Sequence, residues 1–336
     1  MVMSTINSDI GGGSFDQPRV AQRELTRARA VRRFKWTILT PFILLLLTIL
    51  LPVLLLQLYF SFNSWTIYLG SWWDASFVGL EMFKEVLNDP RFGWAIVRSL
   101  YFSVGSTLGC FVIGFGLALL MYRPFKGNAL YYALFILPML TVPIVIAYTA
   151  EMLLNQNGPI NDILAWLTAN EVTIRWLTSP NLSLTTVMIL EIWNWTPFTF
   201  IIMLAGLSAL PKEPIEAAQI LGASRWRIFW EVQLPLLRPV IFLALILRFL
   251  EAMAEFPKAW ALFQGGPGTT TETIPVYIYI TTWQYFHVSK GAAMSYVVML
   301  MMIVIVLIAI RVLRREKRSL DLIYERPRTE PAVAEA

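Results

Sequence analysis

Charge, cysteine and histidine are all scarce in this chain. Of its 336 residues only 15% are Asp, Glu, Lys or Arg, against 57% hydrophobic, whereas a soluble globular domain carries about a quarter of its residues as charges. The single cysteine, Cys110, falls inside an apolar run, so neither a disulfide nor a thiolate metal site is available. The single histidine, His287, lies in a loop beside aromatic residues and reads as an interfacial side chain rather than a ligand. There is no G-x-x-x-x-G-K-[ST] phosphate loop, no G-x-S-x-G and no H-E-x-x-H, so neither nucleotide hydrolysis nor a membrane hydrolase is expected of this chain. No internal repeat is evident.

What is present is long and apolar, with a mean hydropathy of +0.61. The chain reads as an all-α polytopic membrane protein. Six runs approach the ~20 residues that cross a bilayer: Trp36 to Phe60, Ala95 to Tyr122, Ala129 to Leu153, Leu184 to Leu210, Leu236 to Phe256, and Ala292 to Leu313. Residues 1–18 read as a disordered tail. Within the basic segment that runs to position 35, Arg19, Arg23, Arg27, Arg29, Arg32, Arg33 and Lys35 are opposed only by Glu24, a pattern that stays cytoplasmic against anionic lipid. The following apolar run is too long for a signal peptide and lacks a small-residue cleavage site.

Arg123 and Lys126 then fall between the second and third runs, Lys212, Arg225, Arg227 and Arg238 between or beside the fourth and fifth, and Arg311, Arg314, Arg315, Lys317 and Arg318 around the end of the sixth. By the excess of cations on the cytoplasmic side, both termini are expected inside, with a transmembrane domain over 36–315 and a cytoplasmic tail over 316–336. The net charge of +5 belongs to this membrane pattern and not to nucleic-acid binding. Trp65, Trp72, Trp73, Trp94, Trp166 and Trp176 are candidate interfacial anchors. Pro138 and Pro143 imply kinks in the third span; Gly105, Gly109, Gly114 and Gly116 imply close helix approach or a pathway lining in the second.

The stretch from Pro211 to Pro239, PKEPIEAAQILGASRWRIFWEVQLPLLRP, is mixed, charged and broken by Pro and Gly. It is expected to form a helix, a turn and a second helix lying along the cytoplasmic membrane surface. Pro214 suits a first helical position, with Glu216 in the first turn. Gly222 ends that helix and Ser224 caps the next, whose Trp226, Phe229 and Trp230 share a face until Pro235 stops it. The small Ala217, Ala218 and Ala223 leave room for another protein to approach.

Glu216-Ala217-Ala218, Gly222-Ala223, Trp226, Phe229, Leu234-Pro235 and Pro239 resemble the EAA motif of type I ABC importer permeases. One position departs: an aspartate common before the Gly-Ala pair is Leu221 here. Gly158-Pro159-Ile160-Asn161 and Gly265-Gly266-Pro267 are similar to loop elements of the carbohydrate-uptake branch. The resemblance implies a coupling helix docked on an ATPase subunit, with Glu216, Ala217, Ala218, Gly222, Ala223, Trp226 and Phe229 at the contact. It also implies partners: a second, homologous permease, two ATPase subunits that hold ATP and Mg, and an extracytoplasmic solute-binding protein. No cofactor is expected on this chain.

Ionisable groups inside spans are costly and face a cavity or a partner. Arg248, Glu251 and Glu255 are spaced to share a face in the fifth span; Glu191 and Asn194 share one in the fourth, with Trp193 and Trp195 beside them. Hydroxyl-binding groups and flat aromatic surfaces are what a sugar requires. In maltose-type permeases the matching stretches line the sugar site, which carries over to Glu191, Trp193, Trp195, Arg248, Glu251, Ala252 and Glu255, although this set is more charged than the asparagine-rich pattern of those relatives. Arg248 would suit an acidic sugar, the glutamates a neutral one. Alternatively Arg248 pairs with Glu251 or Glu255 simply to neutralise charge, and Glu255 and Lys258 snorkel from a helix end. The rival functions are import of an amino acid, peptide or oxyanion on the same fold, or ion-coupled transport through a proton relay at Glu191 and Glu251.

Overall fold

The computed structural model describes residues 17–123, 125–170 and 173–324. Of the disordered tail expected over 1–18, residues 1–16 lie outside them, as does the end of the C-terminal tail, while Gln17 and Pro18 begin a helix. The first compact unit, residues 1–59, is described by α1, Gln17–Phe62, which is helical already within the basic segment. Within its 33–62 portion the apolar window of 18 residues has a mean hydropathy of 2.8 and no buried residue, as a lipid-facing helix has. Those 30 residues reach about 45 Å at 1.5 Å each, more than the hydrocarbon thickness of a bilayer.

The second unit, residues 60–336, opens with a two-residue strand pair, the one departure from an all-helical chain among the described residues: β1 (Asn63–Ser64) runs antiparallel to β2 (Ser76–Phe77), with Asn63 opposite Phe77. Then follow α2 (Glu81–Leu87), α3 (Pro90–Met121), α4 (Asn128–Leu140), α5 (Pro143–Leu153), α6 (Pro159–Thr168) and α7 (Pro180–Ser208). The remainder is α8 (Lys212–Ile220), α9 (Arg225–Ile228), α10 (Leu234–Met253), α11 (Pro257–Phe263), α12 (Ile274–Tyr279) and α13 (Val288–Tyr324).

Four of the expected spans are helices long and apolar enough to cross a membrane, and α4 with α5 makes a fifth if the bent pair counts as one. The two prolines of that pair do more than kink it. Pro138 sits inside α4 and Pro143 starts α5, and the helices meet at 91°. The remaining expected span corresponds to α10, which has the length but carries Arg238, Arg248 and Glu251.

Three apolar layers order the second unit from end to end. Phe92 and Ala95 of α3 lie with Met253, Tyr277 and Met294 in the first; Phe102 lies with Leu184, Val187 and Ala252 in the second; Ala118 and Met121 lie with Phe200, Leu207 and Leu237 in the third. Following chain order through the layers, α3 and α7 run in the same direction and α10 runs back. The α3–α7 contact depends on glycine. A Cβ on Gly114 would stand 2.9 Å from the backbone nitrogen of Phe200 and 3.0 Å from the Thr196 carbonyl, while Gly105 and Gly109 face Met188 and Ile192. Gly116 meets nothing within 4 Å and takes no part in this approach.

Two of the tryptophans expected as interfacial anchors are half-buried and hydrogen-bonded within the chain. Trp65 stacks on Phe60 at 5.0 Å and donates to the Gly70 carbonyl. Trp176 donates to Asn161 Oδ1, and Asn161 also bonds the backbone of Gln156 and Ile174, so the Gly158–Asn161 element staples its own loop. Trp72, Trp73, Trp94 and Trp166 are exposed.

Candidate functional site: an exposed elbow and a buried ion network

The stretch after α7 is a helical elbow. Pro211 precedes α8, so Pro214 and Glu216 stand deeper in the helix than their sequence suggests, and the first-turn acid is Glu213. Gly222 takes φ +77° in open space, the left-handed conformation that a residue without Cβ adopts at least cost. Ser224 then caps α9, its Oγ accepting from the Arg227 nitrogen at 3.3 Å. Trp226, Phe229 and Trp230 pack as expected, with ring centroids 5.4 to 6.2 Å apart.

Pro235 does not stop the second helix. A single π-helical stretch, Phe229–Gln233, connects α9 directly into α10, with Pro235 in the first turn of α10. The wider π turn absorbs the missing proline N–H and its ring. No residue of α8 is buried: Glu216 and Ala217 are exposed, Ala218 and Ala223 partly so, and Ile220 and Leu221 are 86% exposed. Trp226 is 71% exposed. Leu221, the departure from the motif, is thus an apolar side chain on an open surface.

The ionisable groups further along the flanking helices are gathered differently. Glu191 and Arg248 are each 1% exposed and Lys258 is fully buried. Arg248 Nη2 donates to Glu191 Oε1, and Lys258 Nζ lies 2.7 Å from Glu191 Oε2. Lys258 also reaches Glu255 Oε2 at 3.2 Å and donates to Asn194 Oδ1 at 3.2 Å, while Asn194 Nδ2 donates 2.6 Å to the Pro138 carbonyl in the bent α4. Arg248 therefore does pair, but its buried partner comes from α7 and not from its own helix. Glu251 Oε2 is 3.9 Å away, and its side chain is 44% exposed.

Other expectations are corrected here too. Glu255 follows the end of α10 and does not share its face; its Oε1 accepts from the Lys258 nitrogen at 2.9 Å at the start of α11. Lys258 does the opposite of snorkelling. From sequence it was expected only as a snorkelling side chain and not as a site residue, and the available signal for its burial was a lysine three positions after Glu255 in an apolar surrounding. Ala252 is buried in the second apolar layer. Trp195 lies under the Arg248 guanidinium at 5.3 Å, whereas Trp193 points away, 51% exposed, into an apolar cavity of about 300 Å³ with Leu190 and Ile146.

A second ionic cluster lies at the opposite end of the helices from the elbow. Asp89 caps α3, accepting from the Arg91 nitrogen at 2.9 Å and from Tyr277 Oη at 2.7 Å, and pairs with Lys290 at 3.0 Å. Arg91 grips Glu272 with two bonds of 2.8 and 2.5 Å. Burial works to raise the Asp89 pKa, but the bonds from Tyr277, Lys290 and Arg91 outweigh it and hold the carboxyl below its usual value. Burial and the Asp89 charge together push the Tyr277 hydroxyl up to about 12.

Residues 110–319 match the model of the family described as binding-protein-dependent transport system inner membrane component. Among curated proteins, a probable ABC transporter permease protein of Sinorhizobium fredii is 34% identical over 86% of this chain and 93% of its own length. The sulfoquinovosyl glycerol transport system permease protein of Agrobacterium fabrum is 31% identical over 81% and 87%. The trehalose/maltose transport system permease protein of Thermococcus litoralis is 31% identical over 71% and 80%. In fold, the chain superimposes with a TM-score of 0.70 on a crystal structure of a bacterial ABC transporter involved in import of the acidic polysaccharide alginate, at 24% identity, covering 87% of this chain and 99% of that one.

Proposed function

Because the chain belongs to the family of binding-protein-dependent transport system inner membrane components, we propose that it is a permease subunit of an ATP-driven importer for a sugar, sugar alcohol or sugar derivative. The relatives named above for sulfoquinovosyl glycerol and for trehalose/maltose support the solute class. It works with a second, homologous permease, two ATPase subunits that hold ATP and Mg, and an extracytoplasmic binding protein. A related fold has been captured with a periplasmic protein carrying an alginate pentasaccharide. The chain performs no chemistry of its own. It sits in the inner membrane of a prokaryote with six spans and both termini inside. The gathering of Met121, Leu207 and Leu237 in one layer supports that orientation, because it brings Arg123, Lys126, Lys212 and Arg238 to one end.

The observation that carries the coupling role is the open elbow whose exit is continuous with a span. The ATPase contact falls on Glu216, Ala217, Ala218, Gly222, Ala223, Trp226 and Phe229. A push there passes through the unbroken α9–π–α10 path, because helices transmit displacement along their axes while packed side chains resist it. Leu234 and Arg248 are separated by about 21 Å of helix at 1.5 Å per residue. α7 and α10 leave the two ends of the elbow and carry Glu191 and Arg248. Tilting them against each other alternates access to a site at that depth, with Glu191, Asn194, Trp195, Arg248, Glu251 and Glu255 around it, while Trp193, which faces the apolar cavity, and Ala252, which packs in the core, fall outside it. The rival proton relay is disfavoured because Glu191 is buried between two cations, Arg248 and Lys258, while Glu251 stands apart from it with its side chain exposed.

The test is sugar uptake into proteoliposomes. With binding protein, second permease and ATPases present, uptake requires ATP; this chain alone gives none under a proton or sodium gradient. Gradient-driven uptake by the isolated chain overturns the importer reading.

A further inference from the structure

The apolar cavity beside Trp193 serves neither the ion network nor the elbow. It holds about 300 Å³, twice the ~150 Å³ of a dry apolar cavity that binds benzene. Ile146, Ala150 and Leu153 form its α5 wall, one stripe at helical spacing, and Ile160 of α6 and Leu190 and Trp193 of α7 line it with them. Thr141 turns its hydroxyl back onto the Leu137 carbonyl at 3.4 Å, which leaves Thr149 as the other polar side chain of the lining. Buried water needs several polar partners, so such a space suits hydrocarbon.

Two features connect the cavity to lipid. Ile160 heads a stripe that continues along α6 through Ile163 and Leu167, both exposed, with exposed Trp166 beside them, so the apolar lining runs out onto an open surface. Val145, Tyr148 and Met152, on the rest of α5, are exposed too. The second feature is a cation. Between Lys126 and Lys212 the sequence holds a single one, Arg175. Asn161, the neighbour of Ile160, accepts from the Ile174 nitrogen at 3.3 Å and from Trp176 Nε1 at 3.1 Å, which fixes the residues on both sides of Arg175 next to the α6 wall. Arg175 is exposed and forms no ion pair among the described residues, Asp162 of α6 included. Trp193 stands about 20 Å along α7 from its start at Pro180, and one leaflet is half of a ~30 Å hydrocarbon core.

We propose that this cavity binds one phospholipid, with an acyl chain between α5 and α7 reaching Trp193 and the phosphate on Arg175. A guanidinium holds a phosphate with two parallel hydrogen bonds, and its attraction for the headgroup places the chain at the mouth of the cavity. Trp193 adjoins Asn194, whose amide ties α7 to the Pro138 carbonyl, so the chain packs behind the junction between the bent α4–α5 pair and the ion network. The proposal depends on the membrane location of this chain and not on the identity of its solute.

The experiment uses the complete importer in nanodiscs of digalactosyldiacylglycerol, a bilayer lipid without phosphate, into which phosphatidylglycerol brominated midway along its acyl chains is titrated. Bromine quenches indole fluorescence on contact, and the Trp193 signal is the wild-type emission minus that of Trp193→Phe. Half of that signal is expected to be lost when brominated lipid is about a tenth of the total, the preference that one hydrogen bond between charged groups supplies. Arg175→Gln, at an exposed position, moves the midpoint to equal parts of the two lipids, and Ala150→Phe, which fills the cavity, leaves Trp193 unquenched. A wild-type midpoint already at equal parts means unselective boundary lipid. A signal that no proportion of brominated lipid quenches means that the second permease or another protein surface covers the cavity. Either result, or a midpoint unmoved by Arg175→Gln, overturns the proposal.

Discussion

The elbow after α7 and the ion network around Lys258 are built from similar residues to opposite ends. Both contain glutamates, cations and tryptophan. In the network each full charge meets another within the chain, across three segments of it, and water is shut out. In the elbow Glu216, Ile220, Leu221 and Trp226 meet solvent, and the one ion pair there among the described residues, Arg227 with Glu231, is exposed on both sides. Internal compensation makes a fixed framework; its absence leaves a surface that another protein can complete. Stability and coupling should therefore separate between the two regions, and variants can break that separation.

The largest effect is expected at Lys258. Lys258→Met leaves Glu191 and Glu255 buried with one cation fewer, and breaking a buried pair from one side costs about 3–5 kcal/mol. Thermal unfolding of the complete complex in detergent should show the loss. The double variant Lys258→Met with Glu255→Gln should recover a large part of it, since the uncompensated charge is gone. A Lys258→Met protein as stable as wild type removes the framework role.

Gly222→Val comes next. The site is open, so no clash is involved, but a β-branched residue at φ +77° costs about 1–3 kcal/mol of backbone strain. The elbow relieves that strain by reshaping its own turn, so ATP-driven uptake should fall more than the melting temperature does. Ser224→Ala removes the α9 cap and is worth about 1 kcal/mol. If these two variants destabilise the whole protein as Lys258→Met does, the elbow belongs to the framework.

The rim cluster of Asp89, Tyr277 and Lys290 sharpens the comparison, being ionic yet only partly buried. The depressed Asp89 pKa contributes stability that is present above the unfolded carboxylate value of 3.8 and is lost as pH falls through the lower folded value. The raised Tyr277 pKa contributes stability present below 10.0 and lost as pH rises toward about 12. A stability profile measured against Asp89→Asn should differ by a constant between those limits and converge on the acid side. A difference that persists unchanged at pH 2 excludes the carboxylate as its source.

How much of this was legible beforehand follows from sequence separation. The Gly222 turn, the Ser224 cap and the aromatic triplet depend on residues within five positions of one another, so spacing and residue type suffice. The partner of Arg248 lies 57 positions away and the amide contacted by Lys258 lies 64 away. Helical periodicity offered only Glu251 and Glu255, the neighbours on the same segment, and missed both the cross-helix pair and the burial of Lys258 against Glu191. The prolines of the third span announced a break, but the 91° angle depends on what α4 and α5 pack against, including the Asn194 bond to the Pro138 carbonyl. Pro235 misled because a π turn, which has no residue signature of its own, carries the helix past it.

The smallest stability change, with the largest functional one, is expected at Glu216→Lys. Glu216 is exposed and forms no ion pair among the described residues, and α8 buries none of its residues, so the substitution should move stability by no more than about 0.5 kcal/mol. On the proposed contact it turns an acidic contact residue into a cation, reversing the charge that the ATPase subunit meets. Uptake should stop while the permease remains folded in the membrane, and a charge reversal on the ATPase side should restore it. Wild-type uptake by Glu216→Lys would mean that the exposed face of α8 is left open for some purpose other than docking, and the contrast with the sealed network would then teach nothing about coupling.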